Sequence, residues 1–283
     1  MTKECKIGSI RLENRIFLAP MLEYNDIAFR ILCKQAGAGL VYTGMISPLN
    51  PNPIDLEDKP AIQICTNSTK NLKNFIKRYE NKASSFDFNL GCPSKIAKKV
   101  GVGVFLKDFK IIEKILKEIK DNTKIPLTIK IRKSKEAGKI VKLAEKYCSA
   151  ICIHPRTAEQ GYSGEADLDF ARQIKKKSKL PIIYSGDVNE KNYKELLETF
   201  DFLMIAREAI GDPNIFARIA GKKEIKNPFT EYLKLAKKYK PPYSQIKTQA
   251  LAFTRKKPNA KKLRLEIVKA RSLEEIKEIM HAF

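Results

Sequence analysis

The sequence predicts an α/β chain of the TIM (β/α)8 barrel class, followed by a small all-α helical-bundle domain. Between residues 14 and 220, short apolar runs alternate with longer mixed segments of helix-like spacing, the pattern of a parallel βα protein. Eight such runs favour a closed barrel. After Gly221 the rhythm stops, and Phe229 to Phe283 holds only helix-like patterns broken by Pro241-Pro242 and Pro258. The expected boundary therefore separates a barrel catalytic domain, 1–226, from a helical domain, 227–283.

The candidate strands are, in order, Ile16 to Ala19, Leu40 to Thr43, Ala61 to Cys65, Ser85 to Leu90, Leu127 to Ile131, Ala150 to Ile153, Ile182 to Tyr184 and Phe202 to Ile205. Each is short, apolar and bounded by polar or turn-forming residues. The first ends in Pro20-Met21, the fourth in Gly91-Cys92-Pro93, the seventh in Ser185-Gly186-Asp187 and the eighth in Ala206-Arg207. Of the helical segments, Lys107 to Asn122 sets Ile111, Ile112, Ile115, Leu116 and Ile119 on one face, which is core spacing. A parallel barrel carries its active site at the carboxyl ends of its strands. Ala19, Pro20, Met21, Met45, Asn89, Lys130, Arg132, His154, Arg156, Ser185, Gly186, Asp187, Ala206 and Arg207 are thus expected on one rim.

The 283 residues carry 55 Lys and Arg against 32 Asp and Glu, a net charge of +23. That field attracts polyanions, and a nucleic acid is the favoured partner over a merely lysine-rich surface. Bases concentrate in the tail, from Lys234, Lys237 and Lys238 through Arg255, Lys256 and Lys257 to Lys261, Lys262, Arg264, Lys269 and Arg271, as on a phosphate-backbone contact surface. Tyr232, Tyr239, Tyr243 and Phe253 are expected to be core aromatics of the bundle and not stacking platforms. No long apolar run marks a membrane span or signal peptide. Six cysteines without a Cys-x-x-Cys pair indicate a reducing cytoplasm. His154 and His281 lack zinc-ligand spacing, so no metal is expected. A monomer is expected.

Cys92 stands in a turn directly after a buried strand, where a rigid support would hold a working thiol, although a free cysteine is commonly just a small buried hydrophobe. Gly91 is free to take unusual backbone angles. Lys130 interrupts an apolar strand, and an inward ammonium needs a partner or ligand unless it snorkels to water. The loops Ser185-Gly186-Asp187 and Ala206-Arg207 suit a phosphate, with Gly186 permitting close approach and Arg207 offering a fork of donors. With no paired carboxylates and no metal set, reduction fits better than hydrolysis. A flavin mononucleotide would use the phosphate loops, with Lys130 and His154 near its electron-rich edge. Composition does not choose flavin over another phosphate-bearing ligand.

Ala19-Pro20-Met21 with Asp26, Phe29 and Arg30, then Gln63, Asn89-Leu90-Gly91-Cys92-Pro93 with Gly101 and Gly103, Lys130-Ile131-Arg132, His154-Pro155-Arg156-Thr157, Gln160-Gly161-Tyr162-Ser163-Gly164 and Ser185-Gly186-Asp187 together resemble the tRNA-dihydrouridine synthase family. The tail, with Lys261-Lys262-Leu263-Arg264, resembles that family's tRNA-binding domain. The resemblance covers nearly the whole chain. It implies FMN-dependent reduction of the 5,6 double bond of particular tRNA uridines, with NADPH as electron donor. Cys92 would protonate carbon 5 as hydride reaches carbon 6, and a thiol of ordinary acidity is mostly protonated at neutral pH. Ala19, Pro20, Met21, Gln63, Lys130, His154, Ser185, Gly186, Asp187, Ala206 and Arg207 match flavin-binding positions, and Asn89, Arg132 and Arg156 would lie nearer the uracil or its phosphates. The target base would have to leave its stack. Ser185 replaces the family's usual asparagine, and Ala206-Arg207-Glu208 replaces Gly-Arg-Gly or Gly-Arg-Ala. Two other readings stand beside this one: a small-molecule flavin reductase like dihydroorotate dehydrogenase, and a non-catalytic tRNA-binding module.

Overall fold

The structure, a computed structural model, describes residues 5–51, 54–255 and 257–281. A short antiparallel hairpin, β1 (Lys6–Ile7) and β2 (Ile10–Arg11), precedes eight parallel strands: β3 (Ile16–Leu18), β4 (Leu40–Ile46), β5 (Ala61–Ile64), β6 (Ser85–Leu90), β7 (Leu127–Arg132), β8 (Ala150–His154), β9 (Ile182–Tyr184) and β10 (Phe202–Ile205). They close in sequence order, with β10 pairing back onto β3. All eight expected strands are present, each within a few residues of its predicted ends.

Side chains alternate across a strand with a period of two, and here alternation separates two cores. Leu18, Val41, Ile62, Phe86, Phe88, Ile129 and Ile151 face the outer helices. Phe17, Ala19, Tyr42, Ala61, Cys152, Ile183, Phe202 and Met204 fill the lower barrel, where Phe17 stacks on Phe202 with centroids 5.1 Å apart. Ile7 of the hairpin, with Cys5 and Leu12, joins this inner cluster and plugs its amino-terminal end. The upper inner layer changes character on β5 to β7, where the same parity presents Gln63, Asp87, Asn89, Thr128 and Lys130.

Around the barrel lie α1 (Ile27–Gln35), α2 (Leu72–Tyr79), α3 (Lys95–Val100), α4 (Phe109–Asp121), α5 (Ala137–Tyr147), α6 (Leu168–Lys177), α7 (Tyr193–Thr199) and α8 (Ile215–Ala220). Asp26, Ser94, Asp108 and Asp167 cap α1, α3, α4 and α6 by accepting from first-turn amides, which satisfies donors no helical carbonyl can reach. The predicted helix over 107–122 is α4, and it buries Ile112, Ile115, Leu116 and Ile119.

Beyond residue 227 the chain forms α9 (Pro228–Tyr239), α10 (Tyr243–Phe253), α11 (Ala260–Lys269) and α12 (Leu273–His281). The last three pack on one another, whereas α9 lies along α1 of the barrel. The tie is polar as well as apolar. Asp26 Oδ2 accepts from Tyr232 Oη at 3.3 Å and Gln249 Nε2 at 3.2 Å, and Gln249 Nε2 also reaches the Tyr24 carbonyl at 2.5 Å. Tyr232 and Phe253 are buried against the half-buried Phe229, and the Tyr239 and Tyr243 hydroxyls donate to Glu57 and the Ser272 carbonyl. Lys256 lies outside the described residues.

Candidate active site

The β6–α3 turn is built by sequence-local bonds. Asn89 Oδ1 accepts from the amides of Gly91 (3.0 Å) and Cys92 (2.9 Å), and the Cys92 thiol lies 3.4 Å from Ser94 Oγ, itself the cap of α3. Cys92 is partly exposed. The turn's left-handed residues are Gly101 (φ 73°) and Gly103 (φ 62°), while Gly91 does not use its freedom to adopt a positive φ. A Cβ on Gly103 would fall 2.5 Å from the Cys92 carbonyl oxygen, so this glycine lets the returning chain close over the cysteine. Cys65, at the end of β5, joins the same corner. Burial, reinforced by Cys92, pushes its thiol up to about 12.

Beside the turn, at the ends of the next three strands of the barrel, stand Lys130, His154 and Ser185. The Lys130 side chain points inward as expected, with Ser185 Oγ at 3.4 Å. His154 is buried. Burial first, then the nearby charges of Lys130, Arg132, Arg156 and Arg207, push its imidazole down to about 2. It is therefore a neutral ring with one donor and one acceptor at any working pH. Ala19 is held by Asn25, whose Nδ2 donates to the Ala19 carbonyl at 2.7 Å and to that of Tyr42 at 2.6 Å. Pro20 and Met21 are half-buried beside it.

The loops after β9 and β10 meet at Asp187. Its carboxylate receives both terminal nitrogens of Arg156 (3.0 and 2.5 Å), one of Arg207, and the Ala166 amide. Partial burial opposes its ionisation, but hydrogen bonds and charge from Arg156, followed by Arg207, hold it below the ordinary carboxylate range. The carboxylate thus orients Arg207, whose guanidinium remains half-exposed. Gly186 is tight for a reason internal to the protein, since a Cβ there would meet Ala166 at 2.8 Å and the Tyr184 hydroxyl at 2.9 Å. Ala206 has φ −115° and ψ −89°, neither helical nor extended nor left-handed, and Glu208 is exposed.

Arg132 and Arg156 are buried and committed to protein. Arg132 donates to the carbonyls of Gly91 (2.8 Å), Thr157 (3.1 Å) and Gly161 (2.8 Å), and Arg156 to those of Ser163 (3.2 Å) and Gly164 (2.5 Å). Together they strap the 157–164 loop across the mouth. Tyr162 of that loop is exposed, its ring covered by the Arg132 and Arg207 guanidiniums at 5.4 and 5.6 Å. Sequence reasoning gave no role to Asn25, Asp87 or Tyr162. The alternation along Asp87-Phe88-Asn89 was a usable signal for the second. A cleft of about 650 Å3 opens on the outer side of the turn, walled by Leu90, Val104, Phe105, Arg132 and Phe170. It adjoins the mouth but does not contain Cys92.

A thiol at a strand end, an inward ammonium, a neutral imidazole and an arginine at the last two loops, gathered at the carboxyl face of a parallel barrel, define a barrel enzyme with a cationic mouth. Over residues 17–281 the chain matches the family model described as dihydrouridine synthase. It belongs to that family. It is 32% identical to tRNA-dihydrouridine synthase B of Shigella flexneri over 76% of this chain and 74% of that protein, and 34% identical to the Vibrio vulnificus enzyme of the same name over 76% and 73%. An Aquifex aeolicus relative is 29% identical over 93% of this chain and 94% of its own length. Among solved structures, morphinone reductase in complex with tetrahydroNAD superposes with a TM-score of 0.54 at 11% identity, covering 80% of this chain and 92% of that one. 2-Naphthoyl-CoA reductase does so at 0.57 and 13%, covering 78% and 52%. These likenesses establish the barrel.

Proposed function

We propose that the protein reduces the 5,6 double bond of specific uridines in tRNA to dihydrouridine, using FMN and NADPH, with Cys92 as proton donor. The observation that carries this reading is the partly exposed Cys92 thiol held on the same rim as Lys130, His154 and Arg207. The mouth fits an anionic, electron-accepting group. It gathers Lys130, Arg132, Arg156 and Arg207 around the neutral His154, with Asp187 paired to Arg156 and Arg207 and Lys130 Nζ 3.4 Å from Ser185 Oγ.

FMN, when bound, supplies a carrier that takes hydride from NADPH and delivers it to uracil carbon 6. Arg207, aimed by Asp187, would hold the phosphate, with Ser185, Gly186 and Ala206 forming its loops. Ala19, Pro20, Met21, Gln63, Lys130 and His154 would hold the flavin ring, the Lys130 charge favouring an electron-rich ring and the neutral His154 imidazole offering a hydrogen bond. Cys92 Sγ gives its proton to carbon 5, and the thiolate left behind recovers one from solvent. NADPH, one proton and uridine thereby become NADP+ and dihydrouridine. Asn89, Arg132 and Arg156 would shape the base pocket by fixing the Cys92 turn and the 157–164 loop. Residues 227–283 would dock tRNA by its backbone, since Lys234, Lys237, Lys261, Lys269 and Arg271 are exposed on that bundle. A cytoplasmic setting follows from such a substrate; among the described residues no helix is long and apolar enough to cross a membrane.

The test is mass spectrometry of tRNA incubated with protein, FMN and NADPH. A gain of two hydrogens on uridine is expected, and Cys92→Ala should lower it by about 100-fold or more while leaving NADPH-driven bleaching of the flavin intact. Unmodified tRNA, or an unaffected variant, would overturn the reading. Reduction of a free pyrimidine but not of tRNA would favour the small-molecule reductase, and RNA binding without turnover the non-catalytic module.

A further inference from the structure

Asp87 is fully buried inside the barrel, 0% exposed, two residues before Asn89 on the same inward face. Its Oδ2 accepts from Gln63 Nε2 at 2.6 Å, and its Oδ1 meets Thr128 Oγ1 at 2.6 Å. Gln63 Oε1 in turn accepts from Asn89 Nδ2 at 2.8 Å. Asn89 Oδ1 closes the chain on the Gly91 and Cys92 amides. Three links therefore join a carboxylate in the barrel to the backbone of the reactive cysteine.

The direction of this chain is fixed at both ends. Backbone amides only donate, so Asn89 must turn its oxygen to the Cys92 turn and its NH2 to Gln63. Gln63 must then offer its oxygen to Asn89 and its NH2 inward, and the group beyond it must accept. A flipped Gln63 would set NH2 against NH2 and oxygen against the Asp87 oxygen, leaving two buried pairs unmade. Burial pushes the Asp87 carboxyl up, yet ionised or protonated it keeps an oxygen able to accept from Gln63.

We infer that Asp87 is a positioning residue for Cys92, setting the amide orientation of Gln63 and through it the Asn89 grip that aims the thiol. In the uridine reduction proposed above, on which this role rests, Asp87 touches neither base nor flavin. What matters is acceptor geometry and not charge.

Three variants of the FMN-loaded protein test this. Asp87→Leu removes the acceptor. It should slow tRNA-dependent reoxidation of the reduced flavin at least 10-fold more than it slows flavin reduction by NADPH. It should also change the iodoacetamide alkylation rate of Cys92, followed by peptide mass spectrometry, by fivefold or more. Asp87→Asn keeps an oxygen for Gln63 and an NH2 for Thr128, and should restore both readouts to within threefold of wild type. Thr128→Val deletes the other Asp87 partner without touching the relay and should behave like wild type. If Asp87→Leu does not fold, Asp87→Ala carries the same expectation. Asp87→Asn as impaired as Asp87→Leu would assign the effect to charge and overturn the inference. So would Thr128→Val as impaired as Asp87→Leu, equal loss in both half-reactions, or an unchanged Cys92 alkylation rate. The alkylation readout needs no RNA, so the relay stands or falls separately from the proposed substrate.

Discussion

Acid should destabilise the flavin-free protein through one imidazole. His154 moves from 6.5 in an exposed setting to about 2 in the fold, because burial and four nearby cations oppose its charge. In the unfolded chain it takes up a proton as pH falls below 6.5, and in the folded chain it does not. Stability is therefore full above the unfolded value and is lost as pH falls from there toward the folded one. Between pH 7 and pH 5 the linkage relation gives RT ln[(1 + 10^1.5)/(1 + 10^−0.5)], about 2 kcal/mol. The result is insensitive to the folded value so long as that lies below about 4. Other groups titrate too, so the readout is a difference between wild type and His154→Asn. Equilibrium urea unfolding suits it, followed by far-UV circular dichroism because the chain has no tryptophan. From pH 7 to pH 5 the wild type should lose about 2 kcal/mol more than the variant. Equal losses would refute the reasoning, since the imidazole would then be protonating in the fold.

Gly103→Ala should cost roughly 1–3 kcal/mol and displace Cys92, seen as a lower melting temperature and slower uridine reduction. Gly91→Ala, whose Cβ would stand 3.4 Å from the Lys130 carbonyl oxygen, should change thermal stability by less than about 1 kcal/mol. Arg207→Ala should weaken FMN binding about 10- to 100-fold by fluorescence titration, the loss of one charge-assisted contact. Charge reversal of Lys261 and Lys269 should lower the salt dependence of tRNA affinity by about one unit of slope per site and leave flavin reduction by NADPH unchanged. Deleting 227–283 is a poorer probe of the tail, because it would uncover α1 and strip Asp26 of Tyr232 and Gln249; reduced thermal stability of the remaining barrel would confirm that tie.

The eight strands were legible because each is a short apolar run that reaches its core by alternation, and the rim residues followed from the rule that parallel barrels work at strand carboxyl ends. The positions of Cys92 and Lys130 at the strand ends were legible because a thiol in a turn and an ammonium in a strand break the local pattern. The roles of Gly91 and Gly103 were not. Which glycine is left-handed depends on where the returning chain meets Cys92, a contact between residues eleven positions apart in the sequence.

The sequence by itself determined the barrel, the polar rim at its strand ends, the helical tail and the positive field, since periodicity, strand ends and charge are properties of chain order. Tertiary structure alone decided how the rim's polar groups divide their work. Arg132 and Arg156 are tied to the 157–164 loop by carbonyls up to 29 residues away, Asp187 aims an arginine, and Asp87 reaches Cys92 through Gln63 and Asn89. Hydrogen-bond donors and acceptors are fixed by residue type, but their partners are set by which strands the closed barrel makes neighbours.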